Sequence, residues 1–255
     1  MVAFSARQNA ILALARENGR VDVDELSLRF EVSPQTIRKD LNELCEKQLL
    51  QRIHGGAIVG SGIENVSYEA RRLLAPEGKK AIGVRAAQLI ADNSSLLINI
   101  GTTTEQVAHA LKDHRGLLVI TNNINAVEIM KTFTGVELVI AGGQVRRSDG
   151  GIVGEAAVDF INQFKTDYAV IGVSAIDEDG SLLDYDFREV RVAQAIIANA
   201  RHVILVTDLL KLQRNAPVRI GHISQINTIV VDPDLPAKHL EICREHGVEV
   251  IVARP

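Results

Sequence analysis

Apolar side chains recur at Ile11, Leu12, Leu14 and Ala15 within residues 7–17, a helical stripe, and Asn18-Gly19 then offers two residues that tolerate a left-handed helix end. A second, short helix follows. Asp22 suits its N-cap, Glu25 stands three residues on in a capping-box arrangement, and Leu26 and Phe30 lie four apart on one face. Glu31-Val32 predicts a tight turn. Ser33-Pro34 then opens a third helix, with a side-chain oxygen at the N-cap and proline at the first helical position.

On this third helix Ile37, Leu41 and Leu44 fall within about 60° of one another and form the buried stripe. Gln35, Arg38, Lys39 and Asn42 cluster on the opposite side. These side chains suit nucleic acid: arginine forks onto guanine, glutamine and asparagine pair with adenine, and lysine meets phosphate or guanine. The next segment, LLQRIHGGAIV, alternates around His54-Gly55-Gly56 and predicts a β-hairpin wing from which Arg52 and His54 can reach a phosphate or the minor groove. A polar helix face alone is usually just solvated. The ordered assembly of short helices, tight turn, Ser-Pro start, cationic face and wing instead predicts a winged helix-turn-helix that binds double-stranded DNA. Asp40, Glu43 and Glu46 flank that face and are expected to pair with Lys47, Arg29 or Arg52.

Beyond Val59-Gly60-Ser61-Gly62 the pattern changes. Residues 1–60 are expected to form the DNA-binding domain, 61–76 a linker, and 77–255 a larger domain. A helical run leads from Glu77 through Ile82, Ala86, Leu89 and Ile90. Short apolar runs then appear at 95–100, 117–121, 136–140, 168–174, 203–207, 228–231 and 248–252, most of them separated by helical patterns at 104–112, 125–133, 156–164, 188–199 and 236–246. This alternation predicts a doubly wound α/β domain whose mainly parallel sheet is covered on both faces.

At 255 residues, with 46% hydrophobic and 24% charged side chains, the chain has a globular composition and room for both domains. The first twenty residues interrupt their apolar positions with Arg7, Gln8, Asn9, Arg16 and Glu17, unlike a secretory signal. No segment has the run of roughly 18 apolar residues that a membrane span needs. A soluble, cytoplasmic protein is therefore expected. Cys45 and Cys243 stand far apart, and the seven histidines lack paired metal spacing, so neither a disulfide framework nor a metal site is expected. The net charge is −4, yet residues 1–60 hold eight basic and eight acidic side chains, so binding to a polyanion must come from placement of charge.

Ligands of open α/β sheets sit beyond the carboxyl ends of the strands, which directs attention to the loops after each run. The first is Gly101-Thr102-Thr103-Thr104, where backbone N–H groups, hydroxyls and a helix N-terminus favour an anion; ordinary helix capping is the alternative. Asn122-Asn123, Gly142-Gly143 and Asp177 follow the next strands. Tyr185, Glu189 and Lys211 come later, Lys211 suited to neutralising a phosphate and Glu189 to facing a hydroxyl or Lys211 itself. Together these groups predict a small phosphorylated polyol or sugar as ligand. Glu189 with Lys211 also suits an isomerase, as base and stabiliser of an enediolate, so a phosphosugar isomerase fused to a DNA-binding module stays open as an alternative.

Residues 7–56 resemble the helix-turn-helix of the DeoR family of bacterial repressors in the stretch VSPQTIRKDLNEL (32–44) and the wing RIHGGA (52–57). Residues 77–252 resemble the effector domain of that family, which is similar to ribose-5-phosphate isomerase, in IGTTTEQVAHAL, TNNIN, AGGQVRRSDGGIVGEAAVDFINQF, DEDGSLLDYDFREVR and DLLKLQRNAPV. The resemblance implies a non-enzymatic repressor, a homodimer or homotetramer without cofactor, that leaves operator DNA when a small phosphorylated metabolite binds. Glycerol 3-phosphate is the implied effector, with other sugar phosphates as the alternative. Leu210 departs from the family, whose members usually carry serine before the lysine matched by Lys211.

Overall fold

The computed structural model describes residues 4–18, 20–47, 49–53, 55–58 and 68–254. The chain divides into two compact units, Met1–Leu74 and Ala75–Pro255.

The first unit contains α1 (Ala6–Asn18), β1 (Arg20–Asp22), α2 (Val23–Phe30), α3 (Pro34–Glu46), β2 (Gln51–Ile53), β3 (Gly56–Ile58) and α4 (Tyr68–Leu73). Helix α4 falls within the stretch expected as linker. Ile11, Ala15, Leu26, Ile37, Leu41 and Leu44 are buried and give the three helices one core. Asp22 caps α2 by accepting from Asp24 N at 2.8 Å, so the cap bond goes to Asp24 and not to the expected third position, Glu25. Ser33 caps α3, its hydroxyl accepting from Thr36 N at 3.2 Å with Pro34 in the first turn.

The wing hairpin is present, with Arg52 opposite Ala57. It carries a third strand that the hydropathy pattern does not announce: β1 pairs antiparallel with β3 in the order β1-β3-β2. Three residues, Arg-Val-Asp, are too short a run to show a period. The close approach of these strands fixes one position, because a Cβ on Gly56 would lie 2.1 Å from the Val21 carbonyl oxygen.

The second unit comprises α5 (Pro76–Ala87), β4 (Ser95–Ile98), α6 (Thr102–Ala110), β5 (Leu117–Thr121), α7 (Ile124–Met130), β6 (Val136–Ile140), β7 (Gln144–Arg146), β8 (Gly151–Val153) and α8 (Glu155–Ile161). It continues with β9 (Thr166–Ile171), β10 (Ala175–Ile176), β11 (Ser181–Asp184), α9 (Phe187–Ala198), β12 (Ala200–Thr207), β13 (Val218–His222), β14 (Thr228–Val231), α10 (Ala237–Glu245) and β15 (Glu249–Val252). Seven strands form one parallel sheet in the order β15-β14-β12-β9-β4-β5-β6.

Successive strand residues point to opposite faces, which separates two cores. Leu97, Ala169, Ile171 and Leu205 join Val190 and Ala193 of α9 on one face, while Leu96, Ile98, Val170 and Ile204 join Ile82 of α5 and Val107 of α6 on the other. The chain runs from β4 outward through β5 and β6, then returns to place β9 on the other side of β4. Strand order therefore reverses between β4 and β9, and the crevice at such a switch point is where open α/β sheets hold their ligands. Two small antiparallel additions, the β7–β8 hairpin and the β10-β11-β13 sheet, lie outside the expected alternation.

Candidate functional site

In the first unit, Gln35, Arg38, Lys39 and Asn42 are all exposed on one side of α3, while Ile37, Leu41 and Leu44 face the core. This is the arrangement the helical period predicts. Ser33 and Thr36 are tied to each other at the helix start, with 2.9 Å between their hydroxyls. The acidic flank differs from expectation. Asp40 accepts from Arg7 Nε at 2.6 Å and Glu43 accepts from Gln8 Nε2 at 2.6 Å, so both acids are held by α1 and not by Lys47, Arg29 or Arg52. The i,i+3 spacing of Asp40 and Glu43 sets them on one stripe, and α1 packs along it. Consequently neither carboxylate competes with DNA for the cations of the outer face. Arg52 is exposed on the wing, with Nη1 donating to Gly56 O at 2.9 Å; His54 lies outside the described residues.

In the second unit, the loop after β4 stands at the switch point. Gly101 precedes α6 with φ 150° and ψ 149°, a conformation that is strained for any residue with a Cβ. It aims the first turn of α6, whose N–H groups have no carbonyl within the helix, at the crevice. Thr104 donates its hydroxyl to the Asn99 and Gly101 carbonyls, both at 2.8 Å, and so serves the turn itself. The hydroxyls of Thr102 and Thr103 make no hydrogen bond to the described residues. Across the switch point, a Cβ on Gly172, just after β9, would come within 3.5 Å of Thr104 Cγ2.

The amides after β5 are partly structural. Asn123 caps α7, its side-chain oxygen accepting from Asn125 N and Ala126 N at 2.9 and 3.3 Å. Asn122 donates to Ile152 O at 3.0 Å, and its Oδ1 is buried without a partner among the described residues. Asp208, at the carboxyl end of β12, has a second such oxygen, Oδ1. Gly142 and Gly143 are exposed between β6 and β7, Gly143 with φ 146°.

Charged side chains gather where the β7–β8 hairpin meets the start of α9. Arg146 reaches Asp149 through two bonds of 2.9 and 2.7 Å, Asp186 at 3.2 Å, and Glu189. Arg188 forks onto Asp186 at 3.1 and 2.9 Å. Burial, reinforced by the Asp184 charge and opposed by Arg146, pushes the Glu189 carboxyl up to about 8. Asp186 moves the other way, to about 2, because its bonds from Arg188 and Arg146 outweigh its own burial. Arg146 itself is held above its ordinary range: burial opposes its charge, and Glu189 and Asp149 overcome that.

Glu189 is thus paired with Arg146, where the sequence left either a hydroxyl or Lys211 as its partner. Lys211 is buried in the short 3-10 turn Leu209–Gln213 after β12, and Leu210 is half-buried beside it. Tyr185 donates to Asn215 O at 2.7 Å. Asp177 does not join the group: it occupies the exposed β10–β11 turn, where its backbone meets His239 of α10. It sits in a small antiparallel insertion after β9, between β10 and β11. Arg146, Asp149 and Asp186 escape prediction from the sequence because β7 and β8 are too short to show a period. The spacing of Asp186 and Glu189 at the start of a helical run was the one available signal. Among the described residues no group of three or more potential metal ligands is assembled, and no helix is long and apolar enough to cross a membrane.

Comparison with known proteins agrees with this division. Residues 7–61 match the DeoR-like helix-turn-helix domain and residues 75–233 match the DeoR C terminal sensor domain. The glycerol-3-phosphate regulon repressor of Escherichia coli is 43% identical over 244 residues, covering 96% of this chain and 97% of its own. Its namesake in Haemophilus influenzae is 42% identical over 248 residues, covering 97% and 96%. Among solved structures, a D-ribose-5-phosphate isomerase in complex with phospho-erythronic acid aligns over 54% of each chain, at 17% identity and a TM-score of 0.41. With a reading helix in one unit, a switch-point crevice in the other, and both family models matched along nearly its whole length, the chain belongs to the DeoR family of transcriptional regulators.

Proposed function

We propose that this protein is a cytoplasmic repressor of glycerol metabolism that releases operator DNA when glycerol 3-phosphate binds in its second unit. The observation that carries the proposal is the switch-point turn. Gly101, the first-turn N–H groups of α6 and the hydroxyls of Thr102 and Thr103 form a phosphate cradle. Asn122 Oδ1 after β5 and Asp208 Oδ1 after β12, buried acceptors on strands that flank the β4–β9 pair, suit the donors of a polyol. The curated relatives named for the glycerol-3-phosphate regulon support this effector over a longer sugar phosphate.

The chemistry is binding without turnover. Glycerol 3-phosphate has no carbonyl to enolise, and Glu189 is engaged by Arg146. Repression then follows from linkage. A homodimer or homotetramer presents α3 helices in pairs to repeated half-sites, and the liganded sensor favours an arrangement that no longer matches their spacing. A coupling of about 1–3 kcal/mol lowers operator affinity about 5- to 150-fold.

The test is an operator gel shift at fixed salt with and without glycerol 3-phosphate, fructose 6-phosphate and ribose 5-phosphate. Release by glycerol 3-phosphate alone is expected. Equal retention with every compound would refute the effector assignment, and a coupled assay that detects isomerisation of either sugar phosphate would refute the non-enzymatic role.

A further inference from the structure

Two pieces of the effector site are each fastened internally. The turn that opens α6 is closed by the Thr104 hydroxyl on the Asn99 and Gly101 carbonyls and by the Glu105 N–H on Gly101 O at 3.0 Å. The turn after β5, which carries Asn122 and its unpartnered Oδ1, is held to the tip of the β7–β8 hairpin. Ile152 N donates to Asn122 O at 2.7 Å and Ile124 N to Gly150 O at 3.2 Å, while Asn122 Nδ2 returns a bond to Ile152 O. Each set of bonds stays within its own piece.

The sheet registers the two pieces as far as Ile98 opposite Thr121, where the Thr121 hydroxyl also donates to Ile98 O at 2.7 Å. Past that point side chains continue the link, and Asn125 meets both sides of it. Its Nδ2 donates to Glu105 Oε1 of α6 at 3.0 Å and to the Asp149 carbonyl of the hairpin at 2.9 Å, which commits both of its hydrogens. Asn123 Nδ2 reaches the same Glu105 oxygen at a longer 3.4 Å. A primary amide suits this place because one nitrogen on a short stem carries two donors, and so fixes α6 against the hairpin and the turn bonded to it.

We propose, resting on the effector reading above, that Asn125 is a positioning residue that sets the spacing between the phosphate cradle on α6 and the polyol acceptor Asn122, acting through Glu105. A ligand that engages both pieces gains from a fixed spacing, because its second contact forms with little further loss of freedom. Inorganic phosphate engages the cradle alone and gains nothing from it. Loosening Asn125 therefore weakens glycerol 3-phosphate and leaves phosphate affinity near its original value, since Gly101 and Thr104 still shape the turn.

The experiment is calorimetric titration of the full chain with glycerol 3-phosphate, and with inorganic phosphate by displacement, in the wild type, Asn125→Ala, Asn125→Asp, Glu105→Gln and the Asn125→Asp/Glu105→Gln pair. Asn125→Ala is expected to lower the ratio of the two affinities about tenfold, the order of one hydrogen bond to a charged group. Asn125→Asp keeps the shape, sets a carboxylate against Glu105 and lowers the ratio further. The pair reverses donor and acceptor across the contact and should bind glycerol 3-phosphate better than the two single effects combined. An unchanged ratio overturns the inference, whether both affinities hold or both fall together with the urea midpoint, the second outcome marking a merely structural role. Single effects that simply add place the cause outside the Glu105 contact and overturn it too. A wild type that does not bind glycerol 3-phosphate removes the effector reading as well, whereas the other failures leave that reading standing. Should Asn125→Asp not fold, the ratio in Asn125→Ala decides.

Discussion

Arg7 Nε donates to Asp40 Oδ2 across 2.6 Å, fastening α1 to the flank of α3 that does not read DNA. Asp40 is buried and Arg7 half-buried, so the pair is worth more than a solvated surface bridge and less than a fully desolvated one. Asp40→Ala is expected to cost about 1–2 kcal/mol of stability in the first unit, leaving the operator preference of the folded fraction unchanged. Chemical denaturation of Arg7→Ala, Asp40→Ala and the double variant checks this. Costs that simply add would show that the two residues are not coupled.

Arg38 stands exposed beside Gln35, Lys39 and Asn42, with Ile37 and Leu41 anchoring the opposite side of the helix. A forked base contact is worth about 1–3 kcal/mol, so Arg38→Ala should weaken specific operator binding by about 5- to 150-fold. The rise in melting temperature on adding glycerol 3-phosphate should remain. Competition gel shifts with operator and scrambled duplexes measure the first, and differential scanning fluorimetry the second. Full operator affinity in the variant would mean that another element reads the bases.

Much of this architecture is legible in the residues because its elements are long enough to carry a period. The stripe Ile37, Leu41, Leu44 marks the buried face of α3, and apolar runs such as LLVIT at 117–121 mark the central strands. Legibility fails where elements shrink or partners are distant. β1, β7 and β8 span three residues each, too few to alternate visibly, so the hairpin that brings Arg146 to Glu189 is hidden. Asp40 and Glu43 meet partners 33 and 35 residues away on α1, a pairing that local charge patterning cannot choose. The loop Gly101–Thr104 is readable because glycine, hydroxyls and a helix start are consecutive in the chain. The strand reversal that makes it a crevice is a property of sheet order, which hydropathy does not encode.

Thr103 offers its hydroxyl in the first turn of α6 without engaging the described residues, whereas Thr104 next to it closes the turn. Thr103→Val keeps the shape and removes the polar group. The expected result is a repressor that binds operator normally and no longer responds to glycerol 3-phosphate, with the ligand-induced melting shift reduced or abolished. Thr104→Val should instead lose about 1–2 kcal/mol of stability, because it removes the hydroxyl that ties the Asn99 and Gly101 carbonyls together and leaves Gly101 with the Glu105 N–H alone. Reporter induction for the first variant and thermal denaturation for both separate a contacting threonine from a structural one.

Two carboxyls of the Arg146 cluster set opposite pH dependences of stability. Asp186, at about 2 against an ordinary 3.8, stabilises the folded state above that ordinary value, and its contribution is lost as pH falls toward 2. Glu189, at about 8 against 4.5, holds its proton in the folded state where the unfolded chain has released it, so stability declines as pH rises from 4.5 to about 8 and then levels. The decline has a limiting slope of about 1.4 kcal/mol per pH unit, and coupling to Arg146 makes the observed slope smaller. Glu189→Gln abolishes this component. The difference in unfolding free energy between variant and wild type, measured in urea at intervals from pH 5 to about 9, should therefore grow with pH in favour of the glutamine and then plateau. A difference independent of pH would mean that Glu189 is ionised alike in the folded and unfolded chain, with Arg146 fully compensating its burial.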